Sequence, residues 1–462
     1  MSRAQENKTR FDSSAEGVDG TASSHAKSAR FPAFWINAAL LKKSPFVRNV
    51  AVVAGGTAAA QAVTIAISPV ITRLYGPDSF GVLGVFNSLL TTLTPLACFG
   101  YFTAIVIPRS DRDAYGLVRL SLTMAVLFST VIAVLLLFTR TRLASALGFG
   151  VSGRYLLMLP VAVIAAAIAE TLSQWLIRVE RFRALATVSI SHSGLSAGAK
   201  VSLGLFWPTG VVLIAVTTAT NIYKALLSAM LAHRSLRACR LSGQEDGNRQ
   251  RLRRAASEYV DFPLFELPRD LAEKFGEAAP TIILAALFGP AVAGFYELAR
   301  RVIKVPSVLI TTSVGKVYRS RAAKTVHSGG DLTEGLARTI AGLLLFGLIP
   351  YGVVVLFGPP LFALVFGAEW YVAGQVARWL SLWYFVHVAV NPAAQALMVT
   401  QQLPFNLVWA VGGNGARIVV LVAVALVTRD PVLSIASLAI SAIAADTMLA
   451  AVALRKTRTY SG

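Results

Sequence analysis

The chain has 462 residues, of which 55% are hydrophobic and only 14% are charged. Soluble domains carry about a quarter charged residues, so the deficit excludes an ordinary water-soluble protein and points to lipid as the solvent. The formal charge of +20 would suggest a nucleic-acid binder in water. In a membrane protein it follows from the bias of basic residues toward cytoplasmic loops, and no nucleic-acid partner is expected.

In chain order, residues 1–44 are rich in Ser, Ala, Lys and Arg. They read as a disordered cytoplasmic tail, ending in a short interfacial helix around 31–41. No signal peptide is read, because the first long apolar run begins near residue 49. Continuous apolar runs then predict spans over 49–72, 79–102, 115–138, 155–177, 184–207, 210–232, 266–288, 291–315, 336–358, 372–398, 404–427 and 431–454. Each is long enough for a hydrocarbon core of about 30 Å at about 1.5 Å per residue. They do not alternate as barrel strands would, so the class is an all-α polytopic membrane protein of about twelve helices. Residues 1–48 hold eight Lys and Arg, whereas the loops on the opposite side hold Arg73, Arg140, Arg142, Arg154 and Arg429. That bias places both termini in the cytoplasm.

An internal repeat organises the spans. Leu74-Tyr75-Gly76-Pro77 followed by Gly81 recurs 213 residues later as Leu287-Phe288-Gly289-Pro290 followed by Gly294. Each Gly-Pro pair is a turn signal between the first and second span of its half. Duplication therefore predicts an N-terminal lobe over 45–232, a basic cytoplasmic linker over 233–265, a C-terminal lobe over 266–454 and a cytoplasmic tail over 455–462. Transporters are commonly built from such repeats, with the substrate path between them.

Ionisable side chains inside a span cost at least about 2.5 kcal/mol near its centre, so they face protein or water. In the eighth span, Glu297, Arg300, Arg301 and Lys304 share one helix face. Arg300 and Lys304 lie about 13 Å and about 20 Å in from the span's start. Further cations are Lys200, Lys224, Arg378 and Arg417, with Arg73 at the end of the first span. Glu297 alone shares the face of three cations, which predicts a net-cationic, water-filled cavity attractive to an anion. Guanidinium forks suit phosphate oxygens well.

Four acids lie at depth: Glu170, Glu277, Glu297 and Asp446, with His192 and His387. Any of them could carry protons or coordinate sodium. Glu277 and Glu297 also read as counter-ions for their neighbours, whereas Glu170 and Asp446 have no cation within a turn in sequence. Asp270, Lys274, Glu277 and Thr281 form one stripe on the seventh span, and for Arg73, Asp270, Glu273 and Arg378, close to span ends, snorkelling to the interface or internal pairing is an equal reading. Prolines 69, 95, 160, 306, 350 and 392 remove helix hydrogen bonds and can kink the spans. Gly412-Gly413-Asn414-Gly415 reads as close helix packing. The two cysteines, Cys98 and Cys239, make neither a disulfide framework nor a metal site. No Walker motif, catalytic triad or dinucleotide fingerprint is present, so neither an enzyme nor a bound cofactor is expected.

Four stretches resemble one family in order: TRLYGPDSFG (72–81), YVDFP (259–263), LFGPAVAGFYELARRV (287–302) followed by Pro306, and VFGAEW (365–370). Together they are similar to bacterial lipid-linked oligosaccharide flippases of the Wzx type, within the multidrug/oligosaccharidyl-lipid/polysaccharide exporter superfamily. The resemblance implies two pseudo-symmetric six-helix lobes around a central cavity, in the bacterial inner membrane. It implies transfer of an undecaprenyl-pyrophosphate-linked oligosaccharide to the periplasmic leaflet for O-antigen or exopolysaccharide assembly. It also implies a proton or sodium counter-ion, and work alongside a polysaccharide polymerase and chain-length regulator. Arg73 and Arg301 fall on positions that look basic in the family, while Lys304 rests on helix geometry alone. A drug or cation antiporter of the same fold would want an acidic or aromatic cavity. A peptidoglycan-precursor flippase would usually carry two further spans, and a membrane polymerase or glycosyltransferase a large outside loop or acidic pairs.

Overall fold

A computed structural model describes residues 45–147, 153–241, 255–327, 332–399 and 403–460. Asn49–Gly462 forms one compact unit; the tail and its interfacial helix lie outside the described residues, as does the middle of the basic linker, 242–254. Among the described residues run twelve long helices: α1 (Pro45–Leu74), α2 (Pro77–Ala97), α3 (Asp111–Ala146), α4 (Leu159–Arg178), α5 (Phe182–Gly204), α6 (Gly210–Leu241), α7 (Leu267–Phe288), α8 (Pro290–His327), α9 (Leu332–Phe366), α10 (Tyr371–Val399), α11 (Leu403–Thr428) and α12 (Pro431–Tyr460). The protein is therefore an all-α, multi-pass membrane protein.

Local chemistry sets the helix ends. Pro77 and Pro290 open α2 and α8, where a fixed φ suits the first turn and the missing N–H is not needed. Gly289 precedes the second at φ +89°, a left-handed conformation that glycine adopts without strain. Ser110 caps α3 by accepting from the Asp113 N–H at 3.1 Å, and Asp430 caps α12 by accepting from the Val432 and Leu433 N–H groups. Several helices outrun their predicted spans, α3 by about one turn at its start and two at its end, and α8 by about three turns. Apolar runs mark only the hydrocarbon-deep part of a helix, and polar turns such as those around Arg140 and Arg142 extend it past the lipid.

Eight helices, α1–α4, α6, α9, α11 and α12, are long and apolar enough to cross a membrane by composition. The other four carry most of the intramembrane charges: Lys200 and His192 on α5, Glu277 on α7, Glu297 to Lys304 on α8, Arg378 and His387 on α10. A helix shielded by neighbours from lipid tolerates such residues.

The two halves pack alike. In the first, α4 lies against α2, α3 and α6, and α5 against α6; in the second, α10 lies against α8, α9 and α12, and α11 against α12. The lobes meet where α2 crosses α7 and α8. There a Cβ on Gly81 would stand 1.7 Å from the Pro290 carbonyl oxygen, and one on Gly294 2.1 Å from that of Pro77. The contact is reciprocal: each repeat's glycine receives the other's proline.

The glycine run on α11 is corrected. A Cβ on Gly412, Gly413 or Gly415 would meet nothing within 4 Å, whereas one on Gly276 of α7 would meet the Asn414 side chain at 2.8 Å. Close packing is thus achieved by the partner helix's glycine, with Asn414 as the inserted group.

Candidate functional site between the lobes

The end of the bundle that carries the Gly-Pro turns is sealed. Trp370, in the short turn just before α10 and 1% exposed, stands edge-on to Phe80 of α2 and Phe295 of α8 at centroid distances of 5.1 and 6.0 Å. Its indole N–H donates to the Thr72 carbonyl of α1 at 3.0 Å. The Thr72 hydroxyl donates to the Phe366 carbonyl, and Arg73 Nη2 to that of Leu364. Arg73 is therefore exposed at the sealed rim, tied to the end of α9 and apart from the deeper charges. Arg378 likewise donates to the Leu356 carbonyl at 2.9 Å.

Below that seal the charges fall into three sets. On α7 and α8, Arg300 holds Glu297 through Nη2 at 2.9 Å and approaches Glu277 at 3.8 Å. Lys304 Nζ holds Glu277 at 2.8 Å, and the Thr281 hydroxyl donates to Glu297 at 3.3 Å. Within the first lobe, Lys224 of α6 pairs with Glu170 of α4 at 2.9 Å. Within the second, Asp446 of α12 is a hub. Its Oδ1 accepts from Arg417 Nη2 of α11, and its Oδ2 from Trp383 Nε1 and from His387 Nδ1 of α10, each at 3.1 Å. Both lobes thus carry an ion-bonded link to the sixth helix of their half.

Helix spacing in the sequence leaves Glu170 and Asp446 without cations; folding supplies Lys224 and Arg417 from other helices. It also adds Glu277 to the α8 face, so Arg300 and Lys304 are neutralised there.

Counting the deep groups decides where positive charge remains. Lys200, Lys224, Arg300, Arg301, Lys304 and Arg417 face four carboxylates, and every carboxylate is taken. Among the described residues, Lys200 and Arg301 have no ion pair. Arg301 lies about 17 Å along α8 from Pro290, yet its side chain is exposed, so it faces open space within the bundle. Lys200, half-buried on α5, is near enough for the two charges to repel. The Lys200 backbone is fixed to the sealed end, where its carbonyl accepts from the Tyr75 hydroxyl at 2.9 Å and Gly204, one turn on, packs against the Tyr75 ring. The pair therefore comes from opposite lobes, α5 of the first and α8 of the second.

The sequence pattern of polysaccharide biosynthesis proteins matches residues 70–375. The chain belongs to that family. Among curated relatives, the teichuronic acid biosynthesis protein TuaB of Bacillus subtilis (strain 168) is 22% identical over 159 residues. That alignment covers 34% of this chain and 33% of TuaB, so the chain spans about a third of the length of that relative. Among solved structures, an inward-facing multidrug resistance MATE family transporter of the MOP superfamily aligns with a TM-score of 0.67 at 14% identity, covering 87% of this chain and 94% of that one. The lipid II flippase MurJ, inward closed, aligns with a TM-score of 0.67 at 10% identity over 86% of each chain. An outward-facing MATE transporter aligns with a TM-score of 0.59 at 14% identity, over 91% and 97%. The fold is thus that of the two-lobed MATE and MurJ proteins, as the resemblance implies.

The family match begins at the last turn of α1 and ends early in α10. It takes in the reciprocal Gly-Pro junction, Trp370, Lys200 and the α7–α8 charges. The Asp446 hub lies beyond it. Trp370 and Tyr75 carry no charge, and their role at the seal is visible only in the motifs VFGAEW and LYGP that contain them.

Proposed function

We propose that this protein is a flippase that carries an undecaprenyl-pyrophosphate-linked oligosaccharide across the bacterial inner membrane, from the cytoplasmic to the periplasmic leaflet, for surface polysaccharide assembly. The observation that carries the reading is the pair Lys200 and Arg301, one from each lobe, which repel one another and neither of which is in an ion pair. Two unneutralised cations in a shielded site attract a doubly charged headgroup, and a diphosphate presents oxygens to both at once. An anion bridging them offsets their mutual repulsion and so favours approach of the lobes around it. The sealed Gly-Pro end and the better alignment with the inward-facing neighbour support a cavity open toward the opposite end.

The excess of Lys and Arg at the tail and linker supports placing that opposite end in the cytoplasm. On this reading 45–232 and 266–454 are the moving lobes, joined by the linker. Arg300, Lys304, Lys224 and Arg417 keep their acids, Glu297, Glu277, Glu170 and Asp446, and shape the cavity wall while Arg301 and Lys200 meet the headgroup. Arg73 guards the exit rim. The membrane potential supplies about 2.3 kcal/mol per charge per 100 mV to an anion moving outward.

The test is Arg301→Ala and Lys200→Ala in the producing bacterium. Both are expected to remain in the membrane, abolish surface glycan, and leave lipid-linked glycan on the cytoplasmic leaflet of spheroplasts. Wild-type surface glycan in both variants would sink the proposal. The likeness to MurJ favours one second reading, a peptidoglycan-precursor flippase, whose headgroup carries the same diphosphate. It predicts accumulation of the peptidoglycan precursor instead, together with cell lysis.

A further inference from the structure

The polar cluster beyond the family match contains a group that the transport path above does not use. Every described carboxylate at depth is bonded to a Lys or Arg, so none can gain a proton without stranding a cation. His387 is placed differently. A carboxylate only accepts, so the contact of Nδ1 with Asp446 Oδ2 at 3.1 Å makes Nδ1 the donor and leaves the lone pair on Nε2. The His387 side chain is 40% exposed, so its free edge is not closed off by protein, while Asp446 beside it is 8% exposed.

The place where a metal cation would sit on Asp446 is already filled. Arg417 occupies Oδ1, with its guanidinium 5.2 Å above the Trp383 ring, and the Trp383 N–H shares Oδ2. Among the described residues no group of three His, Cys, Asp or Glu could hold a metal ion. The other charged or titratable neighbours are Tyr384 on the same helix, then Tyr296, Glu297 and Arg300 of α8 and Glu277 of α7, which interact with Tyr384. On α9, Glu334 and Arg338 bond to each other, and Tyr351 stands against Phe385. His192, by contrast, has Lys200 and Lys224 as its charged neighbours, where an added proton meets two like charges.

We infer that His387 and Asp446 form a proton-binding site of the second lobe, and that this site takes a proton but not sodium. The proton comes from cavity water and adds to Nε2; the Nδ1 proton stays on its hydrogen bond to Asp446, and no other bond changes. The cluster gains one positive charge, with Arg417 acting as a tethered cation that keeps Asp446 ionised throughout. The use of this proton in transport rests on the flippase reading above; the site itself does not.

The full-length protein labelled with nitrogen-15 histidine, in nanodiscs of phosphatidylethanolamine and phosphatidylglycerol, tests the site directly. His387→Gln identifies the signal. It is expected to change from neutral to doubly protonated imidazole as the nanodiscs are acidified, and to be unmoved when KCl is replaced by NaCl. A His387 signal that stays neutral on acidification, or one moved by sodium, overturns the inference. Arg417→Gln should create what the guanidinium forestalls, a thermal stabilisation by sodium that the wild type lacks. Sodium stabilising the wild type and not the variant would also overturn it. In cells, His387→Gln should lose surface glycan while His192→Gln keeps it, and normal export by His387→Gln removes the transport role. Loss of the flippase reading would show separately, as normal export by Arg301→Ala with the histidine titration intact.

Discussion

At the residue scale, the two lobe-bracing ion pairs differ in how much water they keep. The side chains of Asp446 and Arg417 are 8% and 14% exposed, whereas those of Glu170 and Lys224 are 42% and 24% exposed. Removing one partner of a shielded pair strands the other charge, at about 3–5 kcal/mol. A pair that keeps water contributes about 1 kcal/mol or less. Arg417 is the more vulnerable because its Nε is already buried without an acceptor. Asp446→Ala should therefore lower the thermal midpoint of the detergent-solubilised protein several-fold more than Glu170→Ala; equal shifts would contradict this ranking. Neither pair is legible in the sequence. Spacing along one helix reveals only partners three or four residues away, as with Glu297 and Arg300. Lys224 and Glu170 are 54 residues apart and Arg417 and Asp446 are 29, and only packing brings them together.

At the element scale, the duplicated turn was readable because it is punctuation. Gly and Pro act on the backbone locally, so their recurrence marks equivalent turns whatever surrounds them. What the repeat does to the partner half is not local, and the sequence alone leaves it open. Gly81 lets the Pro290 carbonyl in, and Gly294 lets in that of Pro77, which allows α2 and α8 to cross in backbone contact. Gly81→Val or Gly294→Val should cost about 1–3 kcal/mol in the sealed arrangement and shift the lobes toward an open one at this end. In a background lacking Cys98 and Cys239, a Ser79→Cys probe should react faster with an impermeant thiol reagent when either valine is present. Gly55→Ala is the control, because its Cβ would meet nothing within 4 Å. Unchanged labelling with the valines would show that the reciprocal contact does not hold the seal.

For the whole molecule, the surplus charge matters more than the number of charges. Six deep cations and four acids look from the sequence like a broadly basic cavity. The fold reduces them to three neutralised sets and two cations outside any described ion pair, Lys200 and Arg301. Such a pair is costly in the empty protein, since each unpaired charge at depth costs at least about 2.5 kcal/mol. On the flippase reading, a ligand that brings the missing negative charge offsets this cost. This makes opposite predictions for stability and function at one position. Arg301→Glu gives Lys200 a counter-ion from the other lobe, so the purified protein should be more stable than wild type by about 1–3 kcal/mol and should export no glycan. Arg301→Ala removes the repulsion without adding attraction, and its stability should fall between the two. Arg301→Lys keeps the charge but loses the bidentate fork, and should export at a reduced rate. Thermal unfolding in detergent and surface glycan in cells are read on the same four proteins. An Arg301→Glu protein that exports glycan, or that is less stable than Arg301→Ala, would mean that the two cations do not share an anion between the lobes.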